Sequence, residues 1–192
     1  SFRDRIRVRL LETAHAGPGR ARNVGAAIAE GEVLAFLDDD CRPTPGWLSA
    51  LAGRLAECPG HMVGGPVINT LTENPYAEAS HIVWDLFVEY ANASSDGYGF
   101  YPSCNLAVPA AAFARFGGFD EGHQVPGGED RAMCYRWQRQ GGRLTFAPDA
   151  VVRHVHYLTL RGLLRQQYNY GRGAFHYYRG QAPNGSDRFR PN

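Results

Sequence analysis

The stretch Val33-Leu34-Ala35-Phe36-Leu37-Asp38-Asp39-Asp40 carries an apolar run straight into three consecutive acids. A short apolar run of this kind reads as a buried strand, and clustered carboxylates at its end place negative charge where a sheet meets solvent. Such charge is costly unless a cation or a set of hydrogen-bond donors answers it. Successive strand side chains point to opposite faces, so Asp38 and Asp40 fall on the same side, roughly 6.6 Å apart along the strand. That spacing suits carboxylates that handle a hard divalent cation together with a ligand that shares it. Mg2+ and Mn2+ prefer oxygen ligands, and Mg2+ takes one or two carboxylates and fills its shell with water and phosphate oxygens. The implied ligand is a diphosphate. Taken without its surroundings, the triplet is equally compatible with a helix cap or a solvated turn leading to Pro43 and Pro45.

Upstream of this stretch, Arg5 to Leu11 alternates Arg with Ile6, Val8 and Leu10, the period of a half-buried strand. Gly17-Pro18-Gly19 breaks the chain, and Ala21, Val24, Gly25 and Ile28 follow at helical spacing until Gly31. Downstream, a helix from near Pro45 is expected to carry Trp47, Leu48, Leu51 and Leu55 on one face. Met62 to Ile68 reads as one strand, and Asn74-Pro75 as the cap and first turn of a helix packed by Ala79, Val83, Leu86 and Tyr90. A polar, flexible segment from Ser94 leads to a strand between Phe100 and Val108, interrupted by Pro102. A short helix then ends at Gly117-Gly118, and another opens with Glu129 and Asp130 after Gly127-Gly128. Two short strands, Leu144 to Ala147 and Val151 to Val155, precede an amphipathic, Arg-rich helix from Leu158 to Gly180, and residues from Ala182 have the composition of a disordered end. The alternation of strand and helix is that of an α/β protein.

The 192 residues are 44% apolar with a formal charge of +1, which fits one globular domain and argues against nucleic-acid binding driven by bulk electrostatics. All 20 basic residues are Arg, so neither Schiff-base chemistry nor a phosphate loop that depends on Lys is available. Cys41, Cys58, Cys104 and Cys134 form no CxxC pair, which sets aside a zinc ribbon or a thioredoxin-like centre and fits a reducing cytoplasm. Without a secretory leader, the tripeptides Asn92-Ala93-Ser94 and Asn184-Gly185-Ser186 carry no weight as glycosylation sites. No apolar run is long enough to cross a bilayer, so the expected setting is cytoplasmic, with peripheral contact at the inner face of a membrane left open for the basic helix.

Five segments occur in order: Gly19-Arg20-Ala21-Arg22-Asn23-Val24-Gly25, Phe36-Leu37-Asp38-Asp39-Asp40, Pro45-Gly46-Trp47-Leu48, Gly117-Gly118-Phe119-Asp120-Glu121 and Gly128-Glu129-Asp130. This ordered set, from about the first strand to Gly173, resembles the family 2 glycosyltransferases with the GT-A fold. The resemblance implies a mixed, Rossmann-like sheet flanked by helices, a nucleotide-sugar donor, a divalent metal (Mn2+ or Mg2+) on a DxD-type motif, and inversion at the anomeric carbon. It also implies roles. Asp130 matches the family's base. Asp40 and Asp38 match the metal acids, with Asp40 favoured for direct coordination and Asp39 left to the donor side. Arg22 and Asn23 match a segment that approaches the donor nucleotide. Asn105, in Ser103-Cys104-Asn105, and Glu129 fall where the sugar and acceptor are met.

The residues themselves support some of these roles and qualify others. A single displacement needs a base for the acceptor hydroxyl and something to stabilise the departing diphosphate. A helix N-terminus, however, lowers the basicity of a carboxylate, and acids in a first turn are common without any function. Strand alternation puts His154 and His156 on one side, so either can complete a metal site, and either is also compatible with a structural hydrogen bond. Gly17-Pro18-Gly19 only approximates a dinucleotide fingerprint.

Two departures from the family pattern stand out. Ser1 follows the point where family members have a strand, a helix and a strand for the nucleoside, so an N-terminally truncated sheet with an open edge, or an oligomer that covers it, is expected. Gln166-Gln167-Tyr168-Asn169-Tyr170-Gly171-Arg172-Gly173 lies near the family's Gln-x-x-Arg-Trp signature without reproducing it, so processive polymer synthesis is not indicated. The expected partition is a GT-A core over 1–157, a basic helix packed on it over 158–181 and a flexible tail over 182–192. The acceptor is left open between a saccharide, a lipid-linked saccharide and a small molecule. The competing readings are a non-catalytic sugar-nucleotide-binding module and a metal-dependent nucleotidyltransferase or phosphatase.

Overall fold

The computed structural model describes residues 6–93, 99–122 and 127–181. The polar segment expected at 94–98 and the disordered end expected from Ala182 lie outside the described residues. The elements are α1 (Pro18–Ile28), β1 (Val33–Phe36), β2 (Cys41–Pro43), α2 (Trp47–Glu57), β3 (Met62–Gly64), β4 (Val67–Asn69), α3 (Pro75–Ala93), a 3-10 turn (Ser103–Asn105), β5 (Leu106–Pro109), α4 (Ala110–Phe116), α5 (Glu129–Arg139), β6 (Leu144–Phe146), β7 (Val152–His154) and α6 (Leu160–Gln181). Among the described residues the strands form two sheets, in the orders β1-β5-β3-β6 and β2-β7-β4. In the first, β5 is antiparallel to β1 and β3, and β6 is parallel to β3. In the second, β7 is antiparallel to β2 and parallel to β4. The mixed α/β class agrees with the expectation, divided over two sheets.

The central strands β3 and β5 are apolar throughout because both faces of the first sheet are covered. Strand alternation then sorts their side chains. Met62, Leu106 and Val108 join Leu34, Phe36, Phe100, Phe113, Phe119 and Trp137 on one face, while Val63 and Ala107 join Trp47, Leu51, Leu55 and Val152 on the other. The Asn74 side chain caps α3 as expected, its Oδ1 accepting from the backbone N–H groups of Tyr76 and Ala77 at 3.1 and 2.9 Å.

Several elements differ from the sequence reading. The alternating segment before Leu11 is not a strand over its described part: Ile6, Val8 and Leu10 are exposed, Leu10 to 85%. Alternation describes a face that a strand would bury, but a strand also needs a partner backbone, and among the described residues none pairs with this segment. The single strand expected over Met62 to Ile68 is two strands in different sheets. Pro66 has no N–H to continue a ladder, and a Cβ on Gly65 would overlap the Ala150 carbonyl oxygen. On α2, Trp47, Leu51 and Leu55 are buried but Leu48 is exposed. On α3 the predicted stripe of Ala79, Val83, Leu86 and Tyr90 faces solvent, and Ala77, Trp84, Phe87, Val88 and Ala91 pack instead. Two apolar faces share this helix, and periodicity alone does not say which one meets the sheet. On α6, likewise, Leu160, Leu164 and Tyr168 point outward while Gly173 and Tyr177 are buried.

Candidate active site

The acid triplet fills the turn between β1 and β2, and β2 brings its chemistry to a point. Cys41 stands opposite His154 in the antiparallel β2–β7 pair, and the Val155 N–H donates to the Asp40 carbonyl at 2.8 Å. Asp40 Oδ2 consequently lies 3.1 Å from His154 Nε2 and 3.0 Å from His156 Nδ1, with the two imidazoles stacked at 5.3 Å between centroids. The hydrogen bond from His154, and with less effect that from His156, hold the Asp40 carboxyl well below the usual carboxylate range despite its partial burial. Asp40, Cys41 and His154 each offer a ligand atom within 4.8 Å of one another. Neighbouring ligands of an octahedral ion with bonds of about 2.1 Å sit about 3 Å apart, which is the separation of Asp40 Oδ2 from each of the two imidazole nitrogens. One carboxylate with two imidazoles is a donor set for Mn2+ more than for Mg2+, which favours oxygen throughout.

Asp38 does not join that cluster. Its Oδ1 accepts from Arg22 Nη2 at 2.8 Å, and Arg22 Nη1 donates to Glu129 Oε1 at 3.0 Å. Burial works against the Arg22 charge, but Asp38 and Glu129 outweigh it and raise its pKa. Arg22 thus ties three elements together: α1, the acid turn and the start of α5. Glu129, expected at acceptor hydroxyls, is buried with both oxygens engaged, Oε2 accepting from the Gly127 N–H at 2.9 Å. These two bonds tie it to Arg22 and to the loop before Asp130.

Asp130 opens α5 after Gly127 and Gly128, whose φ angles of 111° and 92° are ones that side-chain-bearing residues rarely adopt. Its Oδ1 accepts from the Arg131 N–H at 2.8 Å and its Oδ2 from the Ser103 N–H at 3.4 Å. Burial, and then the neighbouring Glu129 charge, push its pKa up to about 7, against the lowering by the backbone donors. The penalty expected from the helix terminus is therefore overcome by desolvation. Helix α6 presses on the same loop, since a Cβ on Gly173 would overlap the Gly127 carbonyl oxygen.

Two expected site residues are elsewhere. Asn105 is fully buried: its Oδ1 accepts from Trp47 Nε1 at 2.8 Å, and its Nδ2 donates to the carbonyls of Pro66 and Ala150 at 2.9 and 2.7 Å. It joins the two sheets and is not a cavity residue. Asn23 exchanges two hydrogen bonds with the Phe119 backbone, both at 2.9 Å, and so fastens α1 to the loop after α4. The remaining candidates converge. Arg22, Asp38, exposed Asp39, Asp40, Glu129, Asp130, His154 and His156 all line one cavity of about 720 Å³.

Two family models overlap on the chain, one described as glycosyl transferase family 2 over residues 1–120 and one as the N-terminal domain of galactosyltransferase over residues 86–160. The chain belongs to the family 2 glycosyltransferases. A pre-mycofactocin glycosyltransferase of Mycobacterium tuberculosis is 33% identical over 172 residues, covering 87% of this chain and 36% of the relative. A probable N-acetylgalactosaminyltransferase of Caenorhabditis elegans is 30% identical over 156 residues, covering 71% of the chain and 25% of the relative. The chain therefore spans about a quarter to a third of these curated relatives. Among solved structures, a mannosyltransferase from Pyrobaculum calidifontis in complex with GDP-Man and Mn2+ matches 90% of this chain and 47% of its own, with a TM-score of 0.64 at 18% identity. A GalNAc-T7 structure with UDP, GalNAc and Mn2+ matches 78% of the chain and 34% of its own, with a TM-score of 0.52 at 21% identity. The fold of this glycosyltransferase is thereby shown to be GT-A.

The sequence reading missed the far wall of the cavity, where Trp84 and Phe87 of α3 meet Tyr170 and Tyr177 of α6. A signal was present in the spacing of Gln166, Tyr170, Gly173 and Tyr177, one helical face, but the Leu and Arg residues around them drew attention to the outer face.

Proposed function

We propose that this glycosyltransferase domain moves a sugar from a nucleoside-diphosphate donor to an acceptor hydroxyl with inversion, in a metal-dependent reaction. The observation that carries the reading is the convergence of Asp40, His154, His156 and Asp130 on one cavity. In this assignment Asp40, His154 and His156 hold the cation, and Arg22 and Asp39 face the donor. A bound divalent ion would neutralise charge on the departing diphosphate. Asp130 takes the acceptor proton: Glu129 is saturated by Arg22 and Gly127, and Asp38 is held by Arg22, which leaves Asp130 as the buried carboxylate with basicity to spare. One buried base, with Asp38 and Glu129 both engaged by Arg22, supports a single displacement, hence inversion. Arg22 positions Asp38 and the loop before Asp130 together, so that donor and base are set by one residue.

Residues 1–157 form the catalytic core in this reading, with the helical segment 158–181 closing the cavity. Among the described residues no helix is long and apolar enough to cross a membrane. The outward face of α6 sets Leu160, Leu164 and Phe175 beside Arg161, Arg165 and Arg172, a pattern that supports peripheral contact with an anionic lipid surface.

The test is product analysis of the full-length protein with Mn2+ and UDP-glucose, UDP-N-acetylgalactosamine or GDP-mannose. The reading predicts a glycoside of inverted anomeric configuration together with UDP or GDP. Pyrophosphate or inorganic phosphate without glycoside would indicate a nucleotidyltransferase or phosphatase, and donor binding without turnover a binding module.

A further inference from the structure

The cavity has two chemically different ends. One is built from Arg22, Asp38, Asp40 and the two histidines, and the other from the rings of α3, α6 and Phe100. These rings form a continuous wall. Trp84 stands edge-on to Phe100 with centroids 5.6 Å apart, and lies 6.2 Å from both Phe87 and Tyr170. Three polar groups on this wall bond to one another: Ser80 Oγ and Gln166 Oε1 are 2.7 Å apart, and Gln166 Nε2 donates to the Tyr170 hydroxyl at 3.2 Å. Tyr170 also connects the wall to the chemistry, because its ring packs against Gly127 in the loop that presents Asp130. Its pKa is raised, by burial first and then by the Asp130 charge, so the phenol keeps its proton.

A sugar diphosphate is hydrophilic and is answered by the charged end. A polyhydroxylated acceptor gains most from free donors and acceptors, whereas a wall of rings whose Ser80, Gln166 and Tyr170 groups bond one another rewards a flat apolar body more. We propose that Trp84, Phe87 and Tyr170, backed by the buried Phe100, form the acceptor subsite, and that it takes a hydroxyl carried on an aromatic body, an aryl alcohol or phenol, in preference to a saccharide. This inference rests on the glycosyl-transfer reading above. In the reaction the acceptor O–H gives its proton to the Asp130 carboxylate, and the acceptor oxygen bonds to the anomeric carbon. The bond from that carbon to the β-phosphate oxygen breaks, and its electron pair leaves with the nucleoside diphosphate.

The experiment uses the full-length protein, Mn2+ and whichever of the three donors above is turned over, with benzyl alcohol, 4-nitrophenol, methyl glucoside and glycerol as acceptors. The expected result is kcat/KM at least tenfold higher for an aromatic acceptor than for methyl glucoside. Trp84→Ala should raise the KM for benzyl alcohol at least tenfold with much less change in the donor KM, and Trp84→Phe should recover part of that loss. Should Trp84→Ala not fold, the acceptor ranking of the parent and the KM split in Trp84→Phe decide the matter. Equal or better use of methyl glucoside, transfer to no acceptor despite donor cleavage, or a Trp84 effect on the donor KM instead would each overturn this inference alone. No cleavage of any donor would overturn the glycosyl-transfer reading and this inference with it.

Discussion

Asp130 sits in a first turn where a carboxylate is normally stabilised as an anion, yet burial pushes its pKa up to about 7. A base must be ionised to accept a proton, so the initial rate of transfer is expected to rise with pH through about 7, measured as kcat/KM between pH 5 and 9. Asp130→Asn should lower kcat by about 10²–10⁴ with little change in donor KM. The same shift has a stability consequence. A carboxyl whose folded pKa lies above its unfolded value near 3.8 binds more protons when folded, so stability falls as pH rises from there to about 7. Asp130→Asn removes that penalty, and chemical denaturation at pH 8 should show it more stable than the parent by roughly 1 kcal/mol or more, a gain that fades by pH 4. Asn105 makes the opposite case: Asn105→Ala leaves Trp47 Nε1 and the Ala150 carbonyl without this partner, while the Pro66 carbonyl keeps the Val152 N–H, and should cost about 2–4 kcal/mol in the same assay. That Asp130, Asp40 and the histidines come to one place was legible in the sequence, from an acid triplet after a strand, an acid pair at a helix start and two His on one side of a strand, read with the family resemblance. That Asn23 and Asn105 bond the backbone, and that both Glu129 oxygens are engaged, was not, because a polar side chain near a motif serves either a ligand or the backbone, and packing decides which.

At the scale of elements, the site depends on how closely α6 approaches the loop before α5. Gly173 is what permits it, since any Cβ there would overlap the Gly127 carbonyl. Ala is the better helix former by about 1 kcal/mol, so Gly173→Ala should keep or raise the helical signal in far-UV circular dichroism. It should nevertheless lower kcat at least tenfold, because the helix must move off the loop that positions Asp130, at an overpacking cost of about 1–3 kcal/mol. Element type was readable where the period was unambiguous, as in α1, α2, α4 and α5. It was silent at Cys41–Pro43, where three residues ending in proline carry no period, although pairing with β7 makes them the strand that sets Asp40 beside His154. Helix α3 shows a different limit: its two apolar faces are equivalent in sequence, and only the sheet and α6 distinguish Trp84 from Val83.

For the whole molecule, the cavity lies where the acid turn, the end of β7, α3, α5 and α6 meet, so the residues of the site are drawn from chain positions far apart. Strand β1 pairs only with β5 among the described residues, and residues 6–15 run exposed, held by Arg7 and Arg9 to Glu30. Exposed ion pairs contribute at most about 1 kcal/mol, so limited trypsin digestion should cut at Arg7 or Arg9 well before the core. The central claim is that Asp40, His154 and His156 hold a cation that anchors a nucleoside diphosphate. Its most direct test is titration calorimetry of UDP and GDP into the full-length protein, with Mn2+ and after chelation, for the parent and Asp40→Asn. The account predicts binding of at least one nucleotide that is lost on chelation and weakened at least tenfold by Asp40→Asn; equal affinity in all four conditions would contradict it.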